Sequence, residues 1–268
     1  MTMLRNILMI ISAAIGIIGC SAAETDTIQI ASPHLVTPMK VMVVSPKQEF
    51  YGEKFPSVYI LNGHGGNHTS WMSNQKRFAE LADHYKMIFI FPDGRNSWYW
   101  DSKKMKMESF FINDLVPYID SNYPTDPRPQ MRAVTGLSMG GHGALWLAIR
   151  HPDIWGNAGS ISGGLDIRPF PDNWNMKQLL GEKNANPKVW EEHTVMNLVP
   201  QIKPGQTNII IDCGTDDVFT GVNEEFHRAL LEKGIPHDYT SRPGAHNWDY
   251  WCNSILYHLL FFNEHFPR

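Results

Sequence analysis

Short apolar runs alternate along this chain with longer stretches whose apolar positions recur every three or four residues. Ser57–Leu61 (SVYIL), Met87–Phe91 (MIFIF) and Asn208–Asp212 (NIIID) are apolar without alternation, the pattern of strands buried on both faces. Met131–Thr135 and the small-residue run Gly156–Ser162 read as two more strands, and a last short one lies near Tyr239. Between them, Gln75–Tyr85, Glu108–Tyr123, Met139–Arg150, Asn223–Lys233 and Trp248–Phe262 have helical spacing, and Pro117 predicts a kink in the second. Residues 24–50 alternate instead (Ile28, Ile30; Met39, Val41, Val43), which predicts an antiparallel opening hairpin. Strand following helix in this rhythm predicts an α/β fold with a mostly parallel central sheet and helices on both faces. Residues 165–206 break the rhythm with Pro169, Pro171, Pro187, Pro200 and Pro204 and one helical stretch near Val189–Leu198. They are expected to form an insertion over one end of the sheet, within a single domain spanning 28–268.

The first residues stand apart. Arg5 precedes the uncharged run Ile7–Gly19, too short to span a bilayer comfortably and suited to a signal-peptide hydrophobic region. Residues 1–19 are therefore expected to be removed on export, with 20–27 as a short linker. Ile17-Ile18-Gly19-Cys20 resembles a bacterial lipobox, which would make Cys20 the lipidated first residue and anchor the chain to a membrane; cleavage after Ala23 is the alternative. The expected location is the bacterial periplasm, a membrane-anchored lipoprotein, or secretion. In an oxidising compartment Cys213 and Cys252 could pair, or remain two packed thiols.

Composition narrows the classes. A net charge of −4 without any Lys/Arg run argues against a nucleic-acid surface. The 12 histidines show no H-E-x-x-H or similar spacing, and no CxxC occurs, so neither a metal nor another cofactor is expected; His64 and His68 are the one pair in a shared loop.

The sharpest chemical signal is Gly136-Leu137-Ser138-Met139-Gly140, a G-x-S-x-G between a strand and a helix. A tight turn there lifts the Ser138 hydroxyl above the sheet and aims the Met139 N–H at whatever the serine attacks. No lysine follows the glycines, which disfavours a phosphate-binding loop. A serine nucleophile needs a base and an orienting acid, in the chain order Ser, acid, His. Asp216 and Asp217 follow the strand NIIID, and His246 lies in the loop after the last strand; His237, His258 and His265 sit where histidines usually pack or face solvent. The glycine-rich loop Asn62–Asn67 is placed to supply a second oxyanion donor.

The segments LNGHGGNHTSW, PDGRNSWYWDS, GLSMGGHGAL, CGTDDVF and GAHNWDYW resemble, in that order, motifs of the esterase D-like group of α/β-hydrolases. That group holds S-formylglutathione hydrolases, tributyrin-type esterases, feruloyl and acetyl-xylan esterases and mycolyltransferases, and the likeness runs from about residue 28 to 262. It implies an α/β-hydrolase fold, Ser138 as nucleophile, Asp217 as acid, His246 as base, and the backbone N–H groups of His64 and Met139 as oxyanion donors. It also places Trp98, Tyr99 and Trp100 in an aromatic loop lining the substrate. Asn62 stands where the group commonly has histidine. The expected activity is a serine carboxylesterase on a small-molecule or polysaccharide ester, with acetylated or feruloylated carbohydrate favoured. The alternatives are an acyltransferase to a sugar or lipid alcohol, and a non-catalytic carbohydrate-binding lipoprotein using some of the nine tryptophans (Trp71, Trp98, Trp100, Trp248, Trp251) for stacking.

Overall fold

A computed structural model describes residues 23–268; the apolar run and Cys20 lie outside the described residues. Eight strands form one sheet: β1 (Glu24–Ile30), β2 (Met39–Ser45), β3 (Ser57–Leu61), β4 (Ile88–Pro92), β5 (Arg132–Gly136), β6 (Asn157–Ile161), β7 (Asn208–Gly214) and β8 (Asp238–Arg242). Their order is β1-β2-β4-β3-β5-β6-β7-β8, and only the β1–β2 and β2–β4 pairs are antiparallel. This is the mostly parallel α/β-hydrolase architecture expected from the apolar runs. One boundary is corrected: β1 begins at Glu24, inside the segment read as linker. Its polar residues are exposed on an edge strand, so they look like linker, yet each pairs with β2 from Glu24↔Ser45 onward.

Successive side chains of a strand point to opposite faces, and here both faces are buried. Tyr59, Leu61, Ile90, Val134 and Ile211 face one core with the helix Met139–Arg150, the helical segment 107–122 and the helix Thr220–Glu232. Val58, Ile60, Phe89, Phe91 and Ala133 face the other, with helices Phe78–Tyr85 and Trp248–His265. Residues 165–206, between β6 and β7, contribute the short helices Met176–Leu180 and Pro187–Glu192 and a 3₁₀ segment Val195–Gln201. The first of these was not anticipated.

The proline inside Glu108–Tyr123 acts as a register shift. Helices Met107–Phe110 and Val116–Asn122 are joined by a π-helical turn, Phe111–Leu115, in which the Val116 N–H donates to the Phe111 carbonyl. Pro117 has no N–H to give, so one extra residue is taken up just before it. At the start of that segment Glu108 is buried and accepts from Trp146 Nε1 (2.9 Å), Arg150 Nε (2.8 Å) and His151 Nε2 (2.7 Å), which ties it to the C-terminal end of Met139–Arg150. Burial pushes the Glu108 carboxyl up, but the donors from His151, Arg150 and Trp146 outweigh it and hold the group below its ordinary value. Cys213 is buried and Cys252 half-buried, and both are free thiols, which removes the disulfide alternative.

A second buried carboxylate joins the strands nearest the C-terminal helix. Asp212 in β7 is fully buried; it accepts from the Tyr250 hydroxyl and, at 2.6 Å, from Arg242 of β8, which also donates to Ser254 at 2.8 Å. The Arg242 guanidinium lies over the rings of Tyr250 and Tyr257. Burial pushes the Asp212 carboxyl up despite these partners. Arg242→Ala therefore leaves a buried charge without its counter-ion and should lower unfolding free energy by about 3–5 kcal/mol. With its partner gone the folded-state pKa of Asp212 rises further above the unfolded value, so the loss grows as pH rises through that interval. Urea unfolding at two pH values checks both parts; a loss that shrinks with rising pH contradicts the account.

Candidate active site

β5 ends at Gly136, and two residues later the chain turns into the helix Met139–Arg150. The turn forces Ser138 to φ 56° and ψ −119°, a region a residue with a Cβ rarely occupies. It is held by the Ser138 N–H donating to the Ile161 carbonyl at 2.9 Å and by the Gly140 N–H donating to the Leu137 carbonyl at 2.7 Å. A Cβ on Gly136 would lie 2.8 Å from backbone atoms of Gly140, and one on Gly140 would lie 2.6 Å from the Leu61 carbonyl oxygen. Both obstacles are backbone, so the two glycines of the motif are steric requirements. Behind the turn, His142 is wholly buried: its Nδ1–H donates to the Gly164 carbonyl (2.9 Å) and its Nε2 accepts from Trp100 Nε1 (3.0 Å). Burial pushes its pKa down to about 3, so it is a neutral packing group.

Ser138 Oγ lies 2.9 Å from His246 Nε2. The other ring nitrogen, Nδ1, lies 3.0 Å from each carboxylate oxygen of Asp217. An ionised carboxylate only accepts, so Nδ1 carries the proton and Nε2 turns its lone pair toward the serine hydroxyl. The Asp217 side chain is fully buried and also accepts from the Phe219 N–H at 2.9 Å. Asp216 is exposed, and its backbone N–H donates to the Gly244 carbonyl at 2.9 Å. That bond, with Thr215 N–H to the Arg242 carbonyl at 2.9 Å, fastens the loop after β7 to the loop after β8, which is how carboxylate and imidazole meet. Phe219 and Trp251 pack edge-on against the imidazole, and the Asn247 side chain accepts from the Tyr250 N–H to cap the following helix.

The loop after β3 rests on the same turn. A Cβ on Gly63 would lie 2.5 Å from Leu137 Cδ1 and 3.4 Å from Ser138 Cβ. Asn62 is buried and holds this loop at several points. Its Nδ2 donates to the Gly63 carbonyl (2.9 Å), its Oδ1 accepts from the Gly94 N–H (2.8 Å), and its carbonyl accepts from the Tyr99 hydroxyl (3.0 Å). Gly65 N–H donates to Asn96 Oδ1 and Gly66 N–H to the Gly63 carbonyl. Among the described residues the backbone N–H groups of His64 and Met139 have no acceptor within the protein. A cleft of about 510 Å³ opens over Ser138, lined by His64, Trp174, His246, Trp248 and Trp251 among others. Burial lowers the His64 pKa, and its Nε2 accepts from Asn175 Nδ2 at 3.4 Å.

Ser138, Asp217 and His246 thus come together, with His64 and Met139 beside them. Trp98, Tyr99 and Trp100 do not line the cleft, which corrects the expectation that they contact substrate. All three are at most 1 % exposed. Trp98 stacks on Trp100, and Tyr99 props Asn62 from beneath, so a run of three aromatics serves the core. Trp71 is buried as well, donating to the Leu61 carbonyl; of the five tryptophans considered for stacking, only Trp248 and Trp251 reach the cleft. Trp174 was missed. It comes from the insertion, packs against Phe219 and Phe170, and carries no motif; only the insertion's expected place over one sheet end pointed toward it. Among the described residues no group of three metal-ligating side chains occurs.

The Esterase family model, described as "Putative esterase", matches residues 32–262. A curated relative, the acetyl esterase of Caldicellulosiruptor saccharolyticus, is 26% identical over 76% of this chain and 81% of its own length. The S-formylglutathione hydrolase of Mus musculus is 26% identical over 90% of this chain and 93% of its own. Among solved structures, a ferulic acid esterase superposes with a TM-score of 0.78 and 25% identity, covering 91% of this chain and 99% of that one. By the extent of that family match, the chain with this serine, imidazole and carboxylate in line is a member of the Esterase family, on an α/β-hydrolase fold.

Proposed function

We propose that Ser138, His246 and Asp217 act as a catalytic triad that hydrolyses carboxylic esters through an acyl-enzyme. The observation that carries this reading is the 2.9 Å approach of His246 Nε2 to Ser138 Oγ, with Asp217 bound to the opposite side of the ring. As Oγ attacks the ester carbonyl, its proton passes to Nε2 and the imidazolium that forms is stabilised by Asp217. The carbonyl oxygen becomes an oxyanion facing the His64 and Met139 N–H groups, each contributing about 3 kcal/mol at the transition state. Collapse expels the alcohol, which takes the proton from Nε2. Water then enters, gives a proton to the same nitrogen and attacks the acyl carbonyl; on collapse Ser138 Oγ leaves with that proton, which frees the acid and restores the neutral imidazole.

On the alcohol side the reading is an ester of carbohydrate bearing acetyl or feruloyl groups. Supporting it are the likeness to proteins named acetyl esterase and ferulic acid esterase and the indoles of Trp174, Trp248 and Trp251 around an open cleft. Residues 1–19 are read as an export signal and Cys20 as a lipidation site, a reading checked by metabolic labelling with a fatty-acid analogue. Acetylated xylan, methyl ferulate and short triglycerides, each assayed with and without an added sugar, separate the substrates and separate hydrolysis from acyl transfer.

Ser138→Ala should lower kcat for p-nitrophenyl acetate by about 10⁴-fold or more and abolish labelling by a fluorophosphonate. Retained turnover or retained labelling overturns the assignment. Asp217→Asn should lower kcat by about 10³- to 10⁴-fold while Asp216→Asn stays within about two-fold, and the reverse order would exchange their roles. Asn62→Ala loosens the loop that carries the His64 N–H, so kcat should fall about 10- to 100-fold with KM within about two-fold. Steady-state kinetics give both; an effect confined to KM argues against that placement.

A further inference from the structure

The sheet has two functionally distinct ends. Ser138, Asp217, His246 and the loop 62–66 all follow the C-terminal ends of parallel strands. The chain enters at the other end, because Glu24 of β1 pairs with Ser45 at the close of β2, and Val44 of β2 pairs with Phe89 at the start of β4. A five-residue strand at about 3.3 Å per residue puts about 16 Å of sheet between the two ends.

At the entry end stands a tip that the rest of the protein does not explain. The loop between β2 and β3 carries Phe50, 65% exposed, and beside it Tyr51, fully exposed. Gly52, with φ 84°, turns the chain back behind them. Neither ring takes part in the aromatic pairs of the core. The loop is fastened to the point where the chain enters: one carboxylate, Asp83, accepts the Ala23 N–H at 2.9 Å and the Lys47 N–H at 3.3 Å. Of the acids around the tip, only Glu49 forms an ion pair among the described residues; Glu53 and Asp83 accept backbone N–H groups. Glu49 pairs with Lys86 at 2.7 Å, and Glu53 accepts the Glu49 N–H at 2.7 Å. Lys47 and Lys54 flank the aromatic pair and form no ion pair among the described residues.

We infer that Phe50 and Tyr51 dock into the headgroup region of a phospholipid bilayer, seating the entry end of the sheet on the membrane and turning the catalytic cleft away from it. The length of chain ahead of Ala23 selects this occupant. Cys20, read above as the lipid attachment point, lies three residues before Ala23. At about 3.5 Å per residue that segment reaches about 10 Å, too short to lift the tip clear of the lipid surface. Adjacent exposed aromatics flanked by lysines are the side chains that settle at a membrane–water boundary, ring in the acyl margin and polar edge outward. The arrangement presents the cleft to a polymer outside the membrane. The inference rests on the lipid-anchor reading and is independent of the catalytic one.

The test uses the full chain, expressed in a bacterium and reconstituted into phosphatidylethanolamine/phosphatidylglycerol vesicles with brominated acyl chains. In a Cys252→Ser background, with Cys213 shielded by burial, a fluorophore is attached through Gln48→Cys beside the tip or through Val218→Cys near the cleft. Quenching at 48 should exceed that at 218 by at least about three-fold. Adding Phe50→Ser with Tyr51→Ser should cut quenching at 48 by about half or more and leave ester hydrolysis unchanged. Equal quenching at both positions, or quenching at 48 that ignores the aromatic pair, overturns the docking surface. Recovery of the full chain in the aqueous fraction overturns it too, and fatty-acid labelling then shows whether the anchor was missing. Ready disulfide cross-linking of two chains through Gln48→Cys in the vesicles, with quenching at 48 no greater than at 218, overturns it in favour of a second copy covering the tip.

Discussion

The backbone of Ser138 is the constraint on which the site depends. Holding a residue with a side chain at φ 56° and ψ −119° costs on the order of 1–3 kcal/mol, and the surroundings must oppose every relaxation. They do so through main-chain geometry. The Ser138 N–H is bound to the end of β6, and the helix that begins at Met139 fixes the exit. Because β3, β5 and the helix start are within contact of one another at Leu61, Gly136 and Gly140, no larger residue fits at the two flanking positions. The strain presents the hydroxyl above the sheet and exposes the Met139 N–H in a single move.

The partner groups reach the serine through a separate device. Asp217 and His246 leave adjacent strands, and their loops are joined by main-chain bonds that leave little freedom between them. Beneath those loops Asp212, Arg242, Tyr250 and Ser254 form a buried polar cluster that pins β7, β8 and the C-terminal helix as one unit. Such a cluster is a demanding way to hold strands together, since Arg242 Nε and Nη1 are buried without a hydrogen-bond acceptor and the guanidinium rests on the Tyr250 and Tyr257 rings, but it fixes direction where an apolar contact would allow sliding. Ser138, Asp217 and His246 then occupy one end of the sheet, and the chain's entry and the aromatic tip occupy the other.

Much of this was legible in the sequence because the signals were local. The apolar runs SVYIL, MIFIF and NIIID marked doubly buried strands, and G-x-S-x-G between a strand and a helix located the strained turn. The choice between Asp216 and Asp217 was not local: it depends on which carboxylate faces inward after the loop is tied to β8, and only the likeness to a family supplied it. The aromatic run Trp98-Tyr99-Trp100 misled for the same reason. A loop rich in aromatics reads alike whether its rings meet a ligand or the core, and Trp98 and Tyr99 adopt positive φ that no pattern announces. Trp174 was invisible because its place over the cleft is set by tertiary packing of the insertion against Phe219. The start of β1 was hidden by the polar residues an exposed edge strand tolerates.

The proposed chemistry is covalent: an acyl group passes through the oxygen of Ser138. Rapid-quench mass spectrometry of the protein mixed with p-nitrophenyl acetate tests it most directly. The expected result is a transient mass increase of one acetyl group, localised by proteolysis to the peptide containing Ser138 and lost as product accumulates. Turnover at full rate with no adduct on that peptide, or with the adduct on another residue, would contradict it.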